Sequence, residues 1–427
     1  MILTQLKNYI TSGGLDKSLA ELYGDERIIG ARARVLDAIA KFEALYGSDR
    51  DVHLFSIPGR TELLGNHTDH NLGRVIAASV DLDVIAVASA CAGSVIRLSS
   101  EGYGEDCVDF DAYAFPKADL FGTSASIIAG MVSGFKANGY AVGGFDAYVT
   151  SNVPKGSGLS SSAAFEVMVG TILSFLSNSG EVDPVTIAKI SKYAENEFFG
   201  KPCGLMDQLA CAVGGIISID FADPSFPVIS ECDADLTALG YRVCIVNTGG
   251  NHADLTPDYA SVPAEMKAVA AHFGKKVLRE LDRETVIADL EALRREVGDR
   301  AVLRALHFFD ENDRVEAQIR SLNSGDIEGF LQGSMASGRS SFCYLQNVYT
   351  TKNPEEQGIS LALCLAEGLL SGKKASWRVH GGGFAGTIQA ILPEMLVDEF
   401  KRTMDAAFGD GATTVLNVRS QGAKKVI

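Results

Sequence analysis

Apolar positions along this chain fall into two periods, and the switches between them mark its elements. Residues 1–30 are largely polar and predict one helix and a loop. Val35, Ile39, Phe42 and Leu45 recur at helical spacing and predict an amphipathic helix over 31–46. Val52-His-Leu-Phe-Ser-Ile57 predicts a strand ending at Pro58-Gly59. Residues 75–90, rich in Val, Ile and Ala but interrupted by acids, predict two strands, and 95–99 continue the sheet. A helix is expected over 124–135, a strand over 145–151, a long apolar helix over 163–175, and a further helix over 184–199 closed by Gly200. Strands follow at 215–220 and 241–246, and helical patterns dominate 263–371. Residues 375–380 and 387–392 predict two strands joined by Gly381-Gly-Gly-Phe-Ala-Gly386, then a helix over 393–408 and a last strand over 413–418.

A chain of 427 residues exceeds one small core and predicts two domains, taken as 1–205 and 206–427, with the last strand able to return to the first. Hydrophobic content of 46% and charged content of 22% suit a globular enzyme. The formal charge of −16 argues against nucleic acid or an anionic membrane as partner. It would also repel a nucleoside triphosphate, so local cations must reverse the field at any such site. Eight cysteines are scattered without a zinc spacing, which predicts free thiols in a reducing compartment. The N-terminal residues lack a signal-peptide pattern and no apolar run is long enough to span a bilayer, so a cytoplasmic location is expected.

Four segments carry candidate chemistry. Pro154-Lys-Gly-Ser-Gly-Leu-Ser-Ser-Ser-Ala-Ala164 joins a predicted strand to a predicted helix. Free N–H groups and the positive end of the dipole at such a helix start bind phosphate. Three serines behind two glycines and a lysine exceed what a helix cap needs, and no Gly-Lys-Ser or Gly-Lys-Thr of a Walker loop occurs. Pro58-Gly-Arg-Thr-Glu-Leu-Leu-Gly-Asn-His-Thr-Asp-His-Asn-Leu-Gly73 concentrates polar side chains after a strand. It reads as a metal site of His67, Asp69 and His70, as a sugar site, or as a solvated turn. Gly200-Lys-Pro-Cys-Gly-Leu-Met-Asp-Gln-Leu-Ala210 places Asp207 in apolar surroundings, as a proton acceptor or as a helix-capping acid. Gly381–Gly386 formally matches GxGxxG, but a strand follows where a dinucleotide site requires a helix.

Together and in this order the motifs resemble the GHMP kinase superfamily, and the galactokinase family within it, from about residue 52 to the C-terminus. The resemblance implies an α+β fold of two domains with the active site in the cleft. The N-terminal domain would hold a mixed sheet with helices on one side, and the C-terminal one a ferredoxin-like sheet with extra helices. It implies phosphorylation of the anomeric hydroxyl of a monosaccharide, galactose foremost, by ATP with Mg²⁺. Arg60 and Asp207 would be catalytic. Asn66, His67, Asp69, Gly204 and Tyr259 would hold the sugar. Lys155, Gly156, Gly158, Leu159, Ser160, Ser161, Ser162 and Ala163 would hold the nucleotide, with Ser162 and Glu195 at the metal. A monomer or weak homo-oligomer is expected, with sugar and ATP as its partners.

The chain departs from the family pattern. Asn66 stands where a Glu is usual, at the contact to the sugar's C6 hydroxyl, and His70 where a Tyr is usual. An amide can donate to a carboxylate, so galacturonate becomes an alternative to galactose. A non-catalytic sugar sensor is a second alternative, set against the complete Ser160-Ser-Ser-Ala-Ala164. A kinase for mevalonate or homoserine is a third, against which His67, Asp69 and Tyr259 argue.

Overall fold

The computed structural model describes residues 1–113, 115–154, 156–250 and 255–427. Twelve strands form two sheets among them: β1 (His53–Leu64), β2 (Arg74–Cys91), β3 (Val95–Ser100), β4 (Glu105–Asp109), β5 (Gly144–Ser151), β6 (Ile216–Asp220), β7 (Val228–Cys232), β8 (Tyr241–Asn247), β9 (Ser376–His380), β10 (Thr387–Pro393), β11 (Thr413–Leu416) and β12 (Lys424–Lys425). The first sheet runs β12-β1-β2-β5-β3-β4, with β6 and β7 added beside the first part of β2. It is mixed, because β3 and β5 pair in parallel and its other pairs are antiparallel. The second sheet is antiparallel in the order β11-β8-β10-β9.

Alternation along β1 and β2 decides the layers, since successive side chains point to opposite faces. Phe55, Ile57, Ala86 and Ala88 face a core shared with the helices Ser124–Ala137, Ser161–Ser177, Pro184–Tyr193 and Met206–Val213. Leu54, Ile85 and Val87 face the other way, onto Leu6, Leu19, Ile39 and Phe42. The N-terminal segment therefore forms three helices, Leu3–Thr11, Asp16–Tyr23 and Ile28–Tyr46, where the polar pattern predicts one. They add a second helical layer to the one expected on a single side of the sheet. Both faces of these strands are apolar, and the second needs a cover.

Two strand predictions change. β1 does not stop at Pro58-Gly59. It continues to Leu64 through a register shift between Pro58 and Arg60, the irregularity at which a strand tolerates proline. The region 75–90 is one long strand, because its acids are neutralised rather than turned to solvent. Asp81 pairs with Arg27 at 2.6 Å. Asp83 pairs with Arg34 at 2.6 Å and with Arg419, and it accepts hydrogen bonds from Tyr23 at 2.6 Å and from Ser56. The helix expected over 184–199 ends as a π-helical turn, Ala194–Phe199, with Gly200 in the left-handed region at φ 80°.

A further core joins the sheets. Leu63, Ile76 and Val80 of the first meet Val243, Ile245, Ile391 and Leu416 around the second. Val153, just before the glycine–serine loop, and Leu159 within it are buried in this same seam. The loop is thereby pinned where the two sheets meet. No helix among the described residues is long and apolar enough to cross a membrane.

Asp83 and Arg419 have no exposed side-chain surface. Burial alone would raise the Asp83 carboxyl, but Arg34 and Arg419 hold it below the carboxylate range. Its stabilisation is therefore present above the unfolded carboxylate pKa and is lost as pH falls through the folded value. Asp83→Ala, which strands Arg419, is expected to cost about 3–5 kcal/mol in urea unfolding with an unchanged m-value. Asp83→Asn is expected to flatten the acid limb of the stability–pH curve.

Candidate active site

Arg60 emerges from β1 just beyond the register shift. Its N–H donates to the Leu159 carbonyl at 3.1 Å, so the strand and the glycine–serine loop are joined through backbone. The approach needs Gly59, where a Cβ would lie 2.9 Å from that same carbonyl oxygen. The Arg60 guanidinium donates Nε to Asp207 Oδ1 at 2.7 Å and Nη2 to Oδ2 at 2.5 Å, the two-pronged geometry that fixes both planes. Nη1 donates to the Gly158 carbonyl, and the Ser160 hydroxyl donates to Asp207. Asp207 sits in the first turn of Met206–Val213, where the helix dipole favours its charge. Burial would raise its carboxyl, but Arg60, Ser160 and Lys201 hold it below the ordinary range. It stays ionised, with 32% of its side chain exposed against 11% for Arg60.

The loop itself turns through positive φ at Gly156, Gly158 and Ser160. Ser160 precedes the Ser161–Ser177 helix without capping it, because its hydroxyl is spent on Asp207. Ser161 and Ser162 open that helix, Ser162 is exposed, and Ala163 is buried beneath. A helix start with free N–H groups behind a left-handed turn is an anion cradle. Lys155 lies outside the described residues.

The second polar motif wraps against the Gly381–Gly386 hairpin. His67, with φ 59°, bonds through Nε2 to the Gly382 carbonyl at 2.9 Å. Tyr259 donates its hydroxyl to the Gly383 carbonyl at 2.9 Å and packs edge-on to Phe384. Asp69 faces Gly204, where a Cβ would stand 2.6 Å from its Oδ2, and burial raises its carboxyl despite His67. Asn66 differs from the expected substrate contact. It is 1% exposed and donates to the Gly381 carbonyl at 2.7 Å and to Glu62 at 3.3 Å. Its oxygen accepts from Asn347 at 2.8 Å. Its amide is thus spent within the protein, behind the wall of the site. The hairpin is also tied to the glycine–serine loop, since His380 at its start packs under Gly158.

The metal reading of His67, Asp69 and His70 fails on geometry. No group of three or more His, Cys, Asp or Glu side chains able to hold an ion is gathered among the described residues. Burial pushes the His70 imidazole down to about 3, and its Nε2 is buried without a hydrogen bond. Glu195 instead joins a cluster that the motifs alone do not reveal. Its buried carboxylate accepts from Lys201 Nζ at 2.7 Å and from Gln208 Nε2 at 2.9 Å, and the same amide donates to Glu166 at 3.0 Å. The sequence signals were an acid one turn after Ser162 on an apolar helix, and a lysine and glutamine within the Asp207 segment. Glu62 pairs with the fully buried Arg378 at 2.7 Å, a partner too distant in sequence for the motif to show.

The chain matches the family described as GHMP kinases N terminal domain over residues 126–215 and the galactokinase galactose-binding signature over 40–90. It is 30% identical to a galactokinase of Streptomyces coelicolor over 397 residues, covering 91% of this chain and 97% of the relative. It is 29% identical to the human galactokinase, covering 91% and 95%. Among solved structures, galactokinase from Lactococcus lactis complexed with galactose superposes with a TM-score of 0.76 at 24% identity, over 92% of this chain and all of that one. The Methanococcus jannaschii mevalonate kinase gives 0.60 at 13% identity, over 86% and 98%. These likenesses show the two-domain fold.

Burial and the nearby Glu195 hold the Glu166 carboxyl well above its ordinary range. Its sign is opposite to that of Asp83: the contribution is favourable at low pH and is lost as pH rises through the raised folded value. Glu166→Gln is therefore expected to stabilise the chain at neutral pH, with the gain shrinking on acidification. Gln208→Ala, which removes the donor shared by two acids, is expected to cost about 1–3 kcal/mol. Urea unfolding of both variants across the pH range checks the pair of signs.

Proposed function

Because the chain belongs to the galactokinase family of GHMP kinases and is a sugar kinase, we propose that it transfers the γ-phosphoryl of ATP to the anomeric hydroxyl of galactose. The observation that carries this reading is the forked Arg60–Asp207 pair, tied through Ser160 and Gly158 to the glycine–serine loop. Phosphoryl transfer asks a protein for in-line positioning and charge neutralisation more than for covalent chemistry. An ionised Asp207 orients the attacking hydroxyl and takes its proton. Arg60 keeps that carboxylate charged and spreads the charge of the transferring group.

The triphosphate lies on the start of the Ser161–Ser177 helix, held by the loop from Gly156 to Ala163. The donor set fits a magnesium–nucleotide complex. Ser162 is an exposed hydroxyl at that helix start, and Glu195 is a buried carboxylate beside Glu166 and Gln208 oxygens that have no hydrogen-bond partner. Magnesium bound there would offset charge on the β- and γ-phosphates. His67, Asp69, Gly204 and Tyr259 line the sugar pocket. Asn66 shapes it from behind, by fixing the Gly381 carbonyl.

That placement bears on the choice of sugar. A uronic acid would need free donors near C6, and both N–H groups of Asn66 are engaged by Gly381 and Glu62. Galactose is therefore the better fit. With purified protein and MgATP, galactose is expected to turn over faster than galacturonate at equal concentration, and comparable turnover of the uronate would contradict the argument. Asp207→Asn is expected to lower kcat by about 10²–10⁴-fold with ATP affinity unchanged. An ADP-release assay with nucleotide titration measures both, and an active Asp207→Asn enzyme would remove the proposed proton acceptor.

A further inference from the structure

The cluster around Glu195 contains a cation, Lys201, that the proposed sugar and phosphate contacts leave unassigned. Lys201 follows the left-handed Gly200 and is held to the π-helical turn by its own N–H, which donates to the Glu195 carbonyl at 3.1 Å. Its side chain then doubles back, and Nζ donates to Glu195 Oε1 at 2.7 Å. The two ends of this ion pair differ sharply. The lysine side chain is 59% exposed, while the glutamate is 4% exposed.

Around that buried carboxylate, acceptors outnumber donors. Gln208 Nε2 is shared between Glu195 and Glu166, and both Glu166 Oε1 and Gln208 Oε1 are buried with no hydrogen-bond partner. Glu166 and Gln208 are each 1% exposed. Such an oxygen set attracts a cation, and among the described residues Lys201 is the cation paired to it. A lysine is suited to leave: its ammonium is a hydrated point charge on a flexible stem, with no fork to lock it in place. It also has somewhere to go. Its charge is felt at Asp207, which is bonded to Ser160 at the mouth of the phosphate cradle.

We propose that Lys201 is an exchangeable counter-cation, which neutralises Glu195 in the nucleotide-free chain, yields it to the divalent cation that arrives with the triphosphate, and re-pairs with the phosphates. The exchange leaves neither the Glu195 carboxylate nor the displaced ammonium without an opposite charge. One ammonium is replaced by one doubly charged ion, and the displaced ammonium meets the new negative charge of the nucleotide. The proposal rests on the reading of Glu195 as a metal ligand.

Mn²⁺ binding followed by electron paramagnetic resonance, with and without a non-hydrolysable ATP analogue, tests it on the wild type and on Lys201→Met, Lys201→Arg and Glu195→Gln. Without nucleotide, Lys201→Met is expected to bind Mn²⁺ more tightly than wild type by roughly 5–150-fold, the usual span of coupling between two ligands. Lys201→Arg, whose forked guanidinium grips the carboxylate, is expected to bind it more weakly. Affinity for the Mn²⁺–analogue complex is expected to fall in Lys201→Met, as a phosphate partner is lost. Thermal unfolding confirms that each variant is folded, and the charge-conserving Arg variant keeps the test informative where the Met variant is not. Equal Mn²⁺ affinity in wild type, Lys201→Met and Lys201→Arg, with loss in Glu195→Gln, overturns the exchange and leaves Glu195 as a ligand. Unchanged Mn²⁺ affinity in Glu195→Gln overturns the metal reading of Glu195 and the exchange with it.

Discussion

The forked ion pair between Arg60 and Asp207 is the contact on which the rest of the arrangement depends. Arg60 comes from the irregular half of β1, Asp207 from the first turn of Met206–Val213, and Ser160 and Gly158 from the loop between β5 and the Ser161–Ser177 helix. Three separate pieces of chain thus meet on one carboxylate. Other features serve to keep them there: the register shift that re-aims the strand, the small residue at Gly59, and the burial of Val153 and Leu159 where the sheets join. Forked geometry matters because it fixes orientation as well as distance, and phosphoryl transfer is sensitive to both.

Buried acids in this chain are handled in contrasting ways. Asp83 and Asp207 are each matched by arginines and held ionised against the penalty of burial. Glu166 has no such partner, and its carboxyl is pushed upward. Glu195 lies between these cases, matched by a lysine that reaches in from solvent. A chain with a net charge of −16 must concentrate its cations locally to receive a triphosphate. Arg60 and Lys201 are the cations set against Asp207 and Glu195. They neutralise the protein's own acids beside the helix start.

Periodicity made most of the sheet and helix order legible before any coordinates, and motif order made the family legible. What stayed hidden depends on contacts distant in sequence. Local rules end a strand at Pro58-Gly59, but the register shift carries β1 onward to Arg60 and beyond. Acids within 75–90 suggest a break until Arg27, Arg34 and Arg419 arrive from both ends of the chain. Asn66 reads as a pocket residue because it stands where the family carries a sugar-contacting Glu. Its burial is imposed by Gly381 and Asn347, about three hundred residues away. The polar N-terminal stretch conceals a helical cover, since the apolar face of β1 and β2 that calls for it lies elsewhere.

The central claim is that Arg60 and Asp207 act as one unit on the reacting hydroxyl. A double-mutant cycle in kcat/KM, built from Arg60→Met, Asp207→Asn and the double variant, tests it most directly. The account predicts strong non-additivity, with the double variant losing about as much as either single one. Losses that simply add would mean that the two side chains act independently, and would contradict it.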